Sequence, residues 1–92
     1  MLIGRRLRNI PNALTPENLM AIVDMAGFSG TYDYLYLPRD TNTAYNKGYA
    51  FLNFTDPRVA QDFAAQLEGS AWNEKSPKRL AITDALCPYT FI

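Results

Sequence analysis

Hydrophobic and polar residues follow two periods along the chain, and these periods predict six elements in the order βαββαβ. Alternation with a period of two predicts strands over residues 3–10, 31–37, 47–54 and 79–83. Apolar residues at helical spacing predict helices over residues 16 to about 26 and 57 to about 69. Thr15 and Asp56 can each cap a helix that begins with proline, and Gly27 can close the first helix in a left-handed conformation.

This order of elements predicts an α+β fold, the ferredoxin-like sandwich, in which two helices cover one face of a four-stranded antiparallel sheet. The side chains predicted to face the helices are Leu7, Leu35, Leu37, Ala50, Leu52, Phe54, Leu80 and Ile82. The first helix should pack on them through Leu19, Ile22, Val23 and Ala26. The alternate positions, which should face solvent, are Arg6, Arg8, Tyr34, Tyr36, Lys47, Tyr49, Phe51, Asn53, Ala81 and Thr83. Four exposed aromatic side chains on one sheet face indicate a binding surface.

Composition indicates one folded domain over residues 1–92, with a core of about residues 3–85 and a C-terminal tail of residues 86–92. Hydrophobic residues make up 48% and charged residues 20%, as in ordinary globular proteins. No apolar stretch approaches the roughly 20 residues of a membrane span, and the N-terminus lacks the pattern of a secretory signal. We therefore expect a monomer without a membrane partner.

Cys87 is the only cysteine and the chain has no histidine, so neither an internal disulfide nor structural zinc is expected. A reducing compartment suits this composition, which favours the nucleus or the cytoplasm. No cofactor is implied. With no histidine and no evident pair of converging carboxylates, the sequence also offers no good general base, and we do not expect an enzyme.

The net charge is zero, but the basic residues are unevenly distributed. One cluster comprises Arg5, Arg6 and Arg8, and the other comprises Lys75, Lys78 and Arg79. If the two clusters meet in the folded chain, they form a locally positive surface.

The third predicted strand carries the most specific motif in the sequence. Lys47-Gly48-Tyr49-Ala50-Phe51-Leu52-Asn53-Phe54 fits the octapeptide K/R-G-F/Y-G/A-F-V-x-F/Y, with leucine in place of valine. On this motif, in the third strand of a βαββαβ chain, the sequence resembles an RNA recognition motif (RRM) over nearly its whole length. The resemblance implies binding of single-stranded RNA on the open sheet face.

The chemistry of the motif agrees with that implication. Tyr49 and Phe51 point the same way and can each stack on an unpaired base, while Lys47 can meet a phosphate. Gly48 and Ala50 should point to the helices, where larger side chains would push the sheet away. Candidate RNA contacts are therefore Tyr49, Phe51, Arg6, Lys47, Arg8, Tyr34, Tyr36, Asn53 and Arg79. Further phosphate contacts could come from Arg39, Lys75 and Lys78, which are equally explained as solvated loop charges.

The first strand departs from the family's pattern at two positions. Arg6 stands where an aromatic side chain usually stacks on a base, although a guanidinium plane can stack as well and adds a charge. Arg5 stands where an apolar residue is usual, and the sequence gives no account of it beyond a frayed strand start or a side chain that extends to solvent.

A closer resemblance is carried by residues 8–12, by residues 27–38, and by Trp72 ahead of Ser76 and Lys78. These segments are similar to the C-terminal RRM of the Mei-two-like proteins, and the similarity implies a module of a regulator of meiosis or differentiation. The last six residues do not follow that family's usual ending.

Two alternatives remain open from the sequence. The domain could bind a protein, either through the same aromatic face or through its helices, and not contact RNA directly. Trp72 could cap RNA from its loop or could cover the edge of the core between the second helix and the fourth strand.

Overall fold

The computed structural model describes residues 4–85, which form one four-stranded antiparallel sheet and two helices. The elements are β1 (Gly4–Arg8), α1 (Pro16–Val23), β2 (Tyr32–Tyr36), β3 (Tyr49–Phe54), α2 (Pro57–Leu67) and β4 (Ala81–Ala85). The strand order is β2-β3-β1-β4, so the predicted ferredoxin-like βαββαβ fold is confirmed. Ile3 of the predicted first strand and the predicted tail with Cys87 lie outside the described residues.

Left-handed backbone positions set two of the strand ends. β1 stops at Arg8 because Asn9 has a φ of 62°, and β3 starts at Tyr49 because Gly48 has a φ of 88°. A Cβ atom on Gly48 would come no closer than 4.0 Å to another atom, the carbonyl oxygen of Ile10. Glycine is therefore needed at position 48 for its backbone conformation, and the expectation that a larger side chain there would strike the helices is wrong for Gly48.

The first helix is well capped but shorter than predicted. The Thr15 hydroxyl accepts from the Asn18 N–H at 3.1 Å, and the Asn18 side chain accepts from the Thr15 N–H at 3.2 Å. α1 then gives way to a wider π-type turn over Asp24–Phe28, in which Gly27 has a φ of 103°. Ile22 was predicted to pack on the sheet but is 36% exposed, because it lies on the flank of a stripe centred on the buried Leu19 and Val23.

The core lies between the sheet and the helices. Of the eight sheet residues predicted to face the helices, six are buried, and Leu35 and Ile82 pack against them half-buried. The rings of Phe28, Phe54 and Phe63 pack together with centroids 5.0–6.2 Å apart. The pattern did not predict Phe28 as part of this core. Trp72 packs on the same cluster, as expected of a residue that covers its edge.

Arg5 is explained by a pairing across two strands. It is only 6% exposed, and its Nη1 lies 3.1 Å from Oδ1 of Asp84 on β4 and donates to the Gly4 carbonyl at 3.0 Å. A buried guanidinium needs such partners because burial removes its hydration. The side chain does not extend to solvent. No helix within residues 4–85 has the length and apolar character to cross a membrane.

Candidate nucleic-acid interface

Four aromatic rings lie on the sheet face opposite the helices. On β3, Tyr49 and Phe51 alternate with residues that the helices bury, and their ring centroids are 5.8 Å apart in an edge-to-face arrangement. On β2, the rings of Tyr34 and Tyr36 are 6.5 Å apart, and Tyr36 is 48% exposed. Cross-strand pairing sets Tyr36 opposite Phe51, which makes the four rings neighbours on one surface. We call this surface the aromatic face.

Arg6 lies against two of these rings. It pairs with Phe51 in the β1–β3 register, and its guanidinium carbon is 5.0 Å from the Tyr49 ring centroid and 6.0 Å from that of Phe51. Both distances are within the range of cation–π attraction. The arginine that replaces the usual aromatic residue is thus held among the rings, where a base or a phosphate can meet it.

The other basic candidates gather at one end of the aromatic face. Arg8 pairs with Tyr49, Lys47 is exposed just before β3, and Arg79 is exposed just before β4. The Asn9 side chain donates to the Arg79 carbonyl at 3.1 Å, which ties the end of β1 to the approach to β4. Lys78 adds a second tie, because its Nζ is 3.0 Å from the side-chain oxygen of Asn12 and 3.4 Å from the Ile10 carbonyl oxygen. Arg8 of the first basic cluster thus lies at the same end of the sheet as Lys78 and Arg79 of the second, whereas Arg5 is buried against Asp84.

Asn53 does not behave as its position in the pattern predicted. It is 3% exposed, and its Nδ2 donates to Oδ1 of Asp33 at 2.8 Å and to the Phe54 carbonyl at 3.3 Å. The expectation that Asn53 faces solvent is therefore wrong.

A β-bulge in β2 brings Asp33 within hydrogen-bonding distance of Asn53. Tyr32 pairs with Phe54 and Tyr34 pairs with Asn53, so Asp33 is an extra residue on its strand. The extra residue turns Tyr32 to the helix side, where its hydroxyl donates to Asp24 at 2.8 Å. Burial, followed by that hydrogen bond and the negative charge of Asp24, raises the pKa of Tyr32 to about 12.

The same bulge brings an exposed carboxylate, that of Asp33, to the side of the sheet where Asn53 lies. Sequence reasoning missed this residue. A signal was present, since strict alternation along 31–37 would set the charge of Asp33 among leucines that face the helices.

The loop that enters β3 is fixed by one buried amide. Nδ2 of Asn46 donates to the carbonyls of Pro11 and Leu14 at 2.8 and 2.9 Å, and its Oδ1 accepts from the Gly48 N–H at 2.7 Å. These three bonds join the loops on either side and hold the start of the octapeptide, including Lys47, in place. Within residues 4–85, no three histidine, cysteine, aspartate or glutamate side chains come together to hold a metal ion.

An antiparallel sheet in the order β2-β3-β1-β4, with helices on one side and aromatic rings on the other, defines a domain of the RRM class. The chain belongs to the RNA recognition motif 2 family, whose model matches residues 4–86.

Curated relatives confirm the resemblance to Mei-two-like proteins. The chain is 37% identical over 75 residues to Protein MEI2-like 3 of Oryza sativa subsp. japonica, and the aligned stretch covers 82% of this chain and 8% of that protein. It is 40% identical over 67 residues to Meiosis protein mei2 of Schizosaccharomyces pombe, and this alignment covers 73% of this chain and 9% of that protein. The chain thus spans less than a tenth of the length of these two relatives.

Solved structures agree on the fold. The chain is similar to the protein of the Sxl-lethal protein/RNA complex, with a TM-score of 0.75 and 26% identity over 92% of this chain and 47% of that one. It is similar also to the Rna15 RRM with bound RNA (GU), with a TM-score of 0.72 and 25% identity over 92% of this chain and 84% of that one.

Proposed function

We propose that this domain binds single-stranded RNA on the aromatic face, with one base stacked on Tyr49 and another on Phe51. The observation that carries the proposal is the arrangement of these two adjacent rings, 5.8 Å apart, with the guanidinium of Arg6 against both. Flat faces bordered by a cation suit unpaired bases joined by phosphates.

The energetics favour this ligand over double-stranded nucleic acid. Stacking on an aromatic side chain contributes about 1–3 kcal/mol per base, but it requires bases that are not already paired and stacked in a helix. We expect Arg8, Lys47 and Arg79, at one end of the face, to contact phosphates. Tyr34 and Tyr36 extend the surface toward the sheet edge, where further nucleotides can lie.

Two named similarities support the proposal, since the Sxl-lethal and Rna15 structures both contain RNA. We further propose that the domain is a module of a post-transcriptional regulator or of a regulator of meiosis or differentiation; the name of the Schizosaccharomyces pombe relative, Meiosis protein mei2, supports the link to meiosis. In such a protein this chain would be one module of a longer polypeptide.

Replacing Tyr49 and Phe51 together by alanine tests the proposal. We expect the double variant to lose at least about tenfold in affinity for a labelled random-sequence RNA, measured by fluorescence anisotropy, because two stacking contacts disappear. Met25→Ala is the control, since Met25 is 87% exposed on the turn after α1, away from the aromatic face. A double variant that keeps its circular dichroism spectrum and binds RNA as the wild type does would contradict the proposal.

A second candidate function is binding of a protein through the helix side. The observation that favours it is that three large apolar side chains of α1 and the turn after it are exposed, those of Met20, Ile22 and Met25. Chemical-shift mapping separates the two functions. RNA should move the amide signals of Arg6, Tyr49 and Phe51, whereas a helix-side partner should move those near Asp24 and Asp62.

A further inference from the structure

The loop between α2 and β4 carries a serine–proline pair that is followed by two cations. Its sequence is Ser76-Pro77-Lys78-Arg79, in which Ser76 is partly exposed and the other three residues are exposed. Asn73 shapes the loop ahead of the pair, since its Oδ1 accepts from the Ser76 N–H at 2.8 Å. The Ser76 hydroxyl oxygen accepts from the Lys78 N–H at 3.2 Å, in a contact at the surface. The hydroxyl group therefore lies on a turn that a second protein can reach.

This pattern is the one that proline-directed protein kinases recognise. They require a proline directly after the phosphorylated residue, and they favour a basic residue two positions beyond that proline. Proline has no backbone N–H, so it can enter an apolar pocket without leaving a buried donor unpaired. A cation two positions further can pair with an acidic group of the kinase. Ser76, Pro77 and Arg79 supply these three features in order.

The sequence has one other hydroxyl residue before a proline, Thr15 before Pro16, and it lacks two of the requirements. The Thr15 hydroxyl caps α1 by accepting from the Asn18 N–H at 3.1 Å. The residue two positions beyond Pro16 is the same Asn18, which is uncharged. Thr15 is therefore an internal comparison for Ser76.

A phosphate group on Ser76 would lie among the basic residues at one end of the aromatic face. Lys75 and Lys78 are within two positions of Ser76 and Arg79 is three positions away, so the Cα atoms are at most about 11 Å apart. The Lys78 Nζ, 3.0 Å from the side-chain oxygen of Asn12, joins this loop to the segment after β1. Phosphoserine carries a charge of about −1.5 to −2 at pH 7 and three acceptor oxygens. It would compete with RNA phosphates for the same cations.

We propose that Ser76 is the phosphorylation site of a proline-directed kinase and that its phosphate weakens RNA binding by neutralising Lys78 and Arg79. The regulatory half of this inference rests on the proposed function, whereas the site does not. In the transfer, the γ-phosphoryl group of ATP passes to Oγ of Ser76. The Oγ–P bond forms, the bond from the γ-phosphorus to the oxygen that bridges it to the β-phosphate breaks, the hydroxyl proton goes to the catalytic aspartate of the kinase, and ADP leaves.

The first test is incubation of the 92-residue chain with a cyclin-dependent kinase and ATP, followed by mass spectrometry of the intact protein and of its peptides. We expect one phosphoryl group on Ser76 and none on Thr15. Pro77→Ala should slow the transfer about tenfold, because the alanine N–H enters the kinase pocket without a partner. Phosphate on Thr15 in place of Ser76, no phosphate at all, or an unchanged rate for Pro77→Ala would overturn the site.

The second test compares phosphorylated and unmodified protein in anisotropy titrations with the labelled random-sequence RNA over a series of salt concentrations. Each phosphate contact contributes about −0.7 to the slope of log affinity against log salt. Loss of one or two contacts should make the slope shallower by about 0.7 to 1.4, and at about 0.1 M salt it should weaken binding about 5- to 25-fold. Ser76→Ala is the matched control, because it should bind RNA as the wild type does both before and after treatment with the kinase and ATP.

The outcomes keep this inference apart from the function on which it rests. Failure of the unmodified protein to bind RNA would overturn the proposed function and the regulatory half of the inference, and the mass spectrum would still decide the site. Equal affinity and slope for the phosphorylated and unmodified protein would overturn the regulatory half alone and leave RNA binding intact. A loss of affinity in Ser76→Ala after kinase treatment would assign the effect to another residue and overturn the role of Ser76.

Discussion

Arg6 offers the most quantitative prediction about the aromatic face. Its guanidinium carbon lies 5.0 and 6.0 Å from the centroids of Tyr49 and Phe51, so the free protein already holds the charge where RNA would arrive. Cation–π contacts at exposed sites contribute about 0.5–1 kcal/mol, which orders the side chain but is weak enough for it to turn to a phosphate. We therefore expect Arg6 to neutralise one phosphate in the complex.

The variant Arg6→Gln removes that charge while keeping a polar side chain of similar length. For single-stranded nucleic acid, each neutralised phosphate contributes about −0.7 to the slope of log affinity against log salt. The variant should therefore have a shallower slope by about 0.7, and a fourfold rise in salt should reduce the wild-type advantage by about 2.6-fold. The loss should be similar for every RNA sequence, because a phosphate contact carries no base information.

Fluorescence anisotropy titrations over a series of salt concentrations measure the slope directly. Arg58→Gln is the matched control, since Arg58 is an exposed arginine at the start of α2, on the other side of the sheet. Its removal should leave the slope unchanged, because salt screens such distant charges. Equal slopes for Arg6→Gln and the wild type would refute the phosphate contact. Arg6→Phe extends the test: it should show the same shallower slope but bind more tightly than Arg6→Gln, because a ring at this position can stack on a base.

Two further predictions concern the scaffold. Asn46→Ala should lower the free energy of unfolding by about 2–4 kcal/mol in denaturant titrations, because three partly buried backbone groups lose the buried amide that pairs with them. Asn42→Ala, at an exposed position, should change the free energy of unfolding little. An equally small effect of Asn46→Ala would contradict this account. The pKa of Tyr32 is raised from 10.0 to about 12, so the folded state favours the protonated phenol. This contribution to stability should be complete below pH 10 and lost as the pH rises through about 12, and Tyr32→Phe should remove that part of the pH dependence of unfolding. A phenylalanine variant with the same alkaline stability profile as the wild type would count against the Tyr32–Asp24 bond as its cause.

Two charged residues on the strands show where sequence patterns reach their limit. By alternation, Arg5 and Asp33 both belong among the apolar side chains that face the helices. The chain treats the two charges differently. Arg5 stays on the helix side and gains Asp84 as a partner from β4, whereas Asp33 is moved by a bulge to the sheet side where Asn53 lies.

The pattern of hydrophobic and polar residues around each charge cannot predict whether the charge is buried with a partner or moved to the other face by a bulge. A buried charge is tolerated where a partner is present, and the partner of Arg5 is 79 positions away in sequence. A bulge becomes favourable where the adjacent strand offers a hydrogen-bond partner for the extra residue. For Asp33 that partner is Asn53, which is 20 positions later in the sequence. Both conditions depend on which strands become neighbours.

The sequence by itself determined the order of elements, the helix caps, the helix-facing set of the sheet and the aromatic pair of β3. These features follow from contacts between near neighbours and from the period of each element, so they can be derived without the fold. Tertiary structure alone decided that Arg8, Lys78 and Arg79 gather at one end of the sheet, that Arg5 pairs with Asp84, and where the Asp33 carboxylate lies. Each of these depends on the register between strands that are distant along the chain, and register is fixed only when the sheet assembles against its helices.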